Sequence, residues 1–320
     1  MDRNVAVIGC GYWGKNLVRN FAQFGALHTI CDAEAKLLEQ LASQYPGVNT
    51  ETDYHRILQD TEIKGVVIAS PTILHYSMVK EALLAGKDVF VEKPFTTSCK
   101  EAQELVELSD KHQRILMVGH LLLYHPSVQA LKGIIQSGDL GEIYYLYSTR
   151  VNLGQVRRDE NALWRLVPHD IAMFIYLLEV SPTVVSVQGS SYLQPNLVDV
   201  VFITLSFGRI LAHVHASWLD PHKIRQLTVI GSKKMAVFDD IEPEHKLRIY
   251  DKWVAGETLQ AKSGEVSCPE VDLTEPLFLE CQDFIKCIKE RSQPLSDAKH
   301  ALEVVKILEA AHKSLQGGRQ

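Results

Sequence analysis

Residues 5–14 read Val5-Ala6-Val7-Ile8-Gly9-Cys10-Gly11-Tyr12-Trp13-Gly14. Four apolar residues run into three glycines spaced as GxGxxG. A helical pattern with Leu17, Val18 and Phe21 on one face follows. Alone, that glycine spacing is a weak signal. Between a strand and a helix it acquires a physical meaning. Gly9 permits a tight turn, and Gly11 lets the backbone approach a pyrophosphate at the helix N-terminus. Gly14 lets helix and strand pack closely. Tyr12 and Trp13, inside the loop, are candidate cofactor contacts.

Outward from this stretch, strand and helix patterns alternate. Strands are expected at 27–31, 66–69, 89–91 and 115–118, and helices at 33–45, 73–85 and 100–111. This alternation predicts a doubly wound parallel sheet, an α/β Rossmann domain. The strand at 27–31 ends at Asp32, 23 residues after Gly9. A carboxylate there accepts hydrogen bonds from the adenine ribose hydroxyls and repels a 2′-phosphate, so NAD is expected over NADP. The plainer alternative is a helix cap. Ligands of such sheets bind beyond the carboxyl ends of the strands. That nominates Ser70, Pro71 and His75 after one strand, and Glu92 and Lys93 after the next. His75 is as readily a satisfied surface histidine, and Thr72 an ordinary N-cap.

Lys93 is the sharper case. A cation at that rim can hydrogen-bond a substrate hydroxyl and stabilise oxygen charge as a carbonyl forms. Pro94 restricts Lys93 to extended geometry and admits a cis bond. The alternative is a solvated loop lysine.

The 320 residues are 46% hydrophobic and 22% charged, with net charge −6. No global basic field would attract nucleic acid. The N-terminal stretch is too short and too glycine-cut for a signal peptide. No apolar run approaches the roughly 20 residues of a membrane helix. Six cysteines without CxxC spacing read as reduced thiols in a cytoplasm, with no zinc site expected.

After residue 120 the pattern changes. A helix is expected at 126–136, then strands at 143–151, 183–190, 198–207, 210–218, 225–230 and 234–238, with a hairpin turn at Phe207-Gly208. Helices at 276–291 and 297–315 close the chain, with Ser296 as a plausible cap. Clustered strands predict an α+β domain with a large, mostly antiparallel sheet, so the expected division is 1–121 and 122–320. His213 and His215 share a strand face without a third ligand, which favours packing or a subunit interface over metal. Pro168 suits a helix start and places His169 in the first turn, where the neutral, proton-accepting form is favoured. Arg157, Arg158 and Arg165 gather positive charge nearby. Arginine forks suit a diphosphate, and pairing with Asp159 and Glu160 is the alternative.

Taken together, strand-GxGxxG-helix, Asp32, Ala69-Ser70-Pro71-Thr72 with His75, and Glu92-Lys93-Pro94 resemble the Gfo/Idh/MocA family of sugar and polyol oxidoreductases. The resemblance implies two domains, a nicotinamide cofactor, a catalytic Lys93 and an acid/base His169. Trp164 is a further candidate cofactor contact, and a homo-dimer or homo-tetramer through the second-domain sheet is expected. Two departures stand out. Arg165 occupies a position where many members carry aspartate, and the arginine frequent before the second-domain helix is missing from the stretch Gly119–Pro126. Tyr124 or His125 contacts substrate there, or packs. The run 152–170 resembles the branch that oxidises UDP-linked amino sugars. That implies C3 oxidation of UDP-N-acetylglucosamine to a 3-keto sugar, for an aminotransferase of lipid A or surface-polysaccharide synthesis. A polyol or inositol dehydrogenase and a non-catalytic NAD-binding regulator are the alternatives. Retention of both Lys93 and His169 argues against the regulator.

Overall fold

The opening stretch folds as a strand, a glycine turn and a helix: β1 is Val5–Ile8 and α1 is Gly14–Gln23. The computed structural model describes residues 3–154, 156, 158, 160–256 and 258–317. Alternation continues through β2 (Leu27–Cys31), α2 (Ala35–Ala42), β3 (Asn49–Glu51), α3 (Tyr54–Gln59), β4 (Gly65–Ile68), α4 (His75–Leu84), β5 (Asp88–Val91), α5 (Cys99–His112) and β6 (Leu116–Val118). The six strands form one parallel sheet in the order β3-β2-β1-β4-β5-β6. Every residue of β1, β4 and β5 is buried. A central parallel strand is covered on both faces, so it reads as a continuous apolar run. The sequence reading missed β3 and α3, which are short and polar.

The second sheet follows α6 (Pro126–Gln136). It begins with β7 (Ile143–Val151), passes α7 (Ala162–Leu166) and α8 (Pro168–Leu178), and continues through β8 (Thr183–Ser190), β9 (Val200–Phe207), β10 (Ile210–Ser217), β11 (Ile224–Gly231), β12 (Met235–Asp239), β13 (Leu247–Ala255) and β14 (Gln260–Ser267). The order is β14-β13-β12-β11-β7-β10-β9-β8. Only the β7–β10 pair is parallel. Gly208, at φ +67°, makes the expected turn between β9 and β10. The hairpin β13–β14 was not foreseen. Its outer strand is exposed at every position, so it lacks the alternation that marks a half-buried strand.

Two closing helices follow, α9 (Pro276–Glu290) and α10 (Ala298–Gly317). The chain divides into two compact units. One holds the residues up to Tyr124 together with Thr274–Val305; the other holds His125–Leu273 and the residues from Lys306 on. A single division at 121/122 is thus corrected, because α9 belongs to the first unit. Phe284 of α9 packs edge-on against Phe21 at 6.3 Å and Phe90 at 5.7 Å. Arg291 grips the buried Asp88 at 2.6 Å. An amphipathic helix announces that it has an apolar face, but not where that face docks.

Candidate functional site

In the first unit the candidate side chains gather at the carboxyl ends of the strands. Gly9 has φ +89°, and a Cβ on it would lie 2.7 Å from the Ala69 carbonyl. A Cβ on Gly14 would lie 1.8 Å from the Gly9 oxygen. Only glycine fits either place. Around Gly11 there is open space, as a backbone that receives a pyrophosphate needs. The cradle therefore fits a dinucleotide.

Asp32 holds this loop to the end of β2. Its Oδ2 accepts the Cys10 N–H at 2.7 Å and its Oδ1 accepts the Glu34 N–H at 3.0 Å. It does not cap α2, whose N-cap is Glu34. Tyr12 is 87% exposed. Trp13 reaches across to the β5 end, where its Nε1 donates to Glu92 Oε1 at 2.6 Å.

Glu92 also accepts the Lys93 N–H at 3.2 Å, and the Lys93–Pro94 bond is cis. Burial pushes the Glu92 carboxyl up to about 7, against the Trp13 hydrogen bond and the Lys93 charge. His75 is corrected from cofactor contact to brace. It is buried, and its two ring nitrogens face the carbonyls of Pro94 at 2.9 Å and Ser70 at 2.9 Å. The ring thereby ties the β4 loop, with Ser70 and Pro71, to the β5 loop. Tyr124 is corrected as well. It is buried, and its hydroxyl donates to Asp283 of α9 at 2.8 Å, so it packs rather than contacting substrate.

Three buried groups of this unit gave no sequence signal. Glu280 is 0% exposed. Burial, then the charges of Glu92 and Asp283, hold its carboxyl well above the usual range. His120 is buried beside His300 with ring centroids 5.7 Å apart. Burial, His300 and Lys93 hold it well below the usual histidine range. Cys281, next to Glu280, is pushed up by burial and by both carboxyls. A sequence pattern could not connect residues 92, 120 and 280, because only the return of α9 brings them into one unit.

In the second unit, Asn161 caps α7 by accepting the Trp164 N–H at 3.1 Å. Pro168 opens α8, and His169 follows half-exposed in the first turn. Asp170 is locked to Arg150 of β7 by a buried bidentate pair, Nε–Oδ2 at 2.9 Å and Nη2–Oδ1 at 3.2 Å. This pair fixes the start of α8, and with it the backbone that carries His169. Trp164 is buried edge-on to His312 at 6.3 Å. Arg165 pairs with Glu160 at 3.3 Å, Arg158 is exposed, and Arg157 lies outside the described residues. His125, the other candidate before Pro126, is buried and caps α6 by accepting the Ser127 N–H at 3.1 Å.

The second sheet packs α6 and α7 on one face. Its other face carries exposed Tyr145, Tyr147, Phe202 and Leu211. His215 stacks on Phe202 at 4.5 Å. Among the described residues, no group of three or more His, Cys, Asp or Glu side chains could hold a metal ion. None of the described helices is long and apolar enough to cross a membrane.

Two family models match this chain. One, described as an oxidoreductase family with an NAD-binding Rossmann fold, covers residues 3–120. The other, the GFO/IDH/MocA C-terminal domain, covers residues 128–237. Together they span more than half of the sequence. UDP-N-acetylglucosamine 3-dehydrogenase of Acidithiobacillus ferrooxidans is 25% identical over 291 residues, 88% of this chain and 87% of that protein. The chain spans less than two thirds of the length of several curated relatives. Among these is inositol 2-dehydrogenase 2 of Saccharopolyspora erythraea, 28% identical over 214 residues, 64% of this chain and 63% of that protein. The solved structure of the A. ferrooxidans enzyme GnnA superposes with a TM-score of 0.86 at 19% identity, over 100% of both chains; at that identity the likeness is one of fold.

Proposed function

Because the chain belongs to the Gfo/Idh/MocA oxidoreductase family and carries its NAD-binding domain, we propose that it oxidises a sugar ring hydroxyl to a ketone, at C3 of UDP-N-acetylglucosamine. The observation that carries the substrate is the match to the A. ferrooxidans dehydrogenase along most of both chains. Arginines lend less support than their spacing suggested, since Arg165 is engaged by Glu160.

NAD, when bound, accepts the hydride. The chain's own groups do the rest. Gly9, Gly11 and the start of α1 receive the pyrophosphate, and Asp32 receives the adenine ribose. The Lys93 ammonium holds the substrate oxygen and stabilises the charge that grows there as its proton leaves. His169 takes that proton. As a residue type, histidine with a reference pKa of about 6.5 suits a base near neutral pH, whereas lysine at about 10.4 suits a fixed cation. Arg165 cannot supply the carboxylate many relatives have at its position, and Asp170 is occupied by Arg150. The product, a 3-keto nucleotide sugar, suits an aminotransferase of lipid A or surface-polysaccharide synthesis. Copies of the chain associate through the aromatic face of the second sheet. A cytoplasmic location, where thiols stay reduced, is part of this reading.

A panel of UDP-sugars, free sugars and inositols, incubated with NAD and followed by NADH absorbance, tests the assignment. UDP-N-acetylglucosamine should give the highest kcat/KM. Faster turnover of a free inositol would shift the assignment to the second reading, which the inositol dehydrogenase match favours. No turnover with any compound, alongside intact NAD binding, would favour a regulator.

A further inference from the structure

A dinucleotide lies across the point where the strand order of such a sheet reverses, here between β1 and β4. Asp32 fixes the adenine half on the β2 side. The nicotinamide half therefore falls toward the ends of β4 and β5, where Glu92 and Lys93 stand. Oxidised and reduced nicotinamide differ by one positive charge. A buried ionisable group beside that ring is weakly screened from the difference.

Glu92 is such a group. It is 9% exposed, and its polar partners are the Trp13 indole at 2.6 Å and the Lys93 N–H at 3.2 Å. Gly119 presses against it so closely that a Cβ there would lie 2.8 Å from Oε2. The charged and titratable groups around it are Lys93 on its own turn and Glu280 and Cys281 on α9, and His120 after β6 faces Lys93 in turn. Neither Glu280 oxygen has a hydrogen-bond partner among the described residues. Ionised, it would be an unpaired buried charge, so it stays protonated. Cys281 is likewise held as the thiol and His120 as the neutral ring. Glu92 differs from Glu280 in its partners: the Trp13 indole and the Lys93 N–H serve its carboxylate form, while burial favours the acid.

We propose that Glu92 is a proton site linked to the cofactor's charge: a carboxylate when NAD+ is bound, and a carboxylic acid when NADH is bound. The balance closes. Oxidation of a secondary alcohol by NAD+ yields ketone, NADH and one proton; that proton passes to His169 and on to solvent, while Glu92 takes one from solvent as the cofactor's positive charge is lost and returns it when NADH departs. Glu280 is the positioning residue that, by staying neutral, leaves this single site on the interior side of the turn.

The inference rests on NAD binding and not on the sugar, so its test omits the sugar. NAD+ and NADH are titrated separately into the full chain by calorimetry near pH 7, in buffers of different ionisation enthalpy. NADH should take up more protons than NAD+, by up to about one. Between about pH 6 and pH 8 the NADH-over-NAD+ affinity ratio should fall as pH rises, by up to about tenfold per unit. Glu92→Gln should abolish both effects. Equal proton counts in the parent protein, or an undiminished difference in Glu92→Gln, would overturn the proposal. Should Glu92→Gln not fold, Trp13→Phe removes a hydrogen bond that favours the carboxylate and should move the pH window upward; a window that stays put also overturns it. Failure of every UDP-sugar to react would leave these results untouched.

Discussion

The two sheets of this chain present their useful groups in different places. The first is parallel and buried through its centre, so Asp32, Glu92 and Lys93 stand at strand ends. The second is mostly antiparallel and carries aromatic side chains across an open face. The physical cause is the connection. Crossover helices cover both faces of a parallel sheet and leave only its ends, whereas hairpins leave a face open. Strand ends gather polar groups from distant parts of the chain around a point, which suits chemistry. An open face presents rows of side chains, which suits a broad partner.

This contrast can be broken experimentally. The largest effect is expected at the proposed catalytic pair. Lys93→Met and His169→Ala should each lower kcat by about 10²–10⁴ while the protein folds and binds NADH, as steady-state rates and fluorescence titration would report. In the parent, activity should fall at low pH, and His169→Ala should lose that acidic limb. If the limb survives there and vanishes in Lys93→Met, the two roles are exchanged.

A smaller effect is expected at the β2 end. Asp32→Ala should weaken NAD binding by roughly 10- to 100-fold, the worth of hydrogen bonds to a charged group, and should narrow the preference over NADP. Equal use of both cofactors by the parent would remove Asp32 from the site. On the open face the sign of the contrast reverses. Tyr147→Asp with Phe202→Asp should reduce the sedimenting mass while changing kcat/KM by less than about twofold. Unchanged mass would free that face from the role of subunit contact.

Legibility followed locality. The glycine loop could be read, and Glu92-Lys93-Pro94 placed at a strand end, because each motif is a few consecutive residues whose backbone geometry is set locally. The parallel order of the first sheet followed from simple alternation. Hairpin β13–β14 was invisible because Gln260–Ser267, exposed throughout, carries no apolar rhythm. Residues defined by tertiary partners could not be placed from sequence. Tyr124 sat where a substrate contact was expected, yet Asp283 claims its hydroxyl from 159 positions away. Likewise the partner of Asp170 is Arg150 on another element, and no spacing rule links Glu280 to Glu92.

The return of α9 also bears on how the chain is made. Residues 125–273 must leave the ribosome before Phe284 can seat between Phe21 and Phe90 and before Arg291 can reach Asp88. At about 5–20 residues per second, that interval is roughly 8 to 30 seconds. Throughout it the nascent first unit exposes the apolar ground that α9 will cover, while the intervening segment is still emerging. The earliest part of the sequence is thus among the last to be completed, and in that window a chaperone has both reason and time to bind.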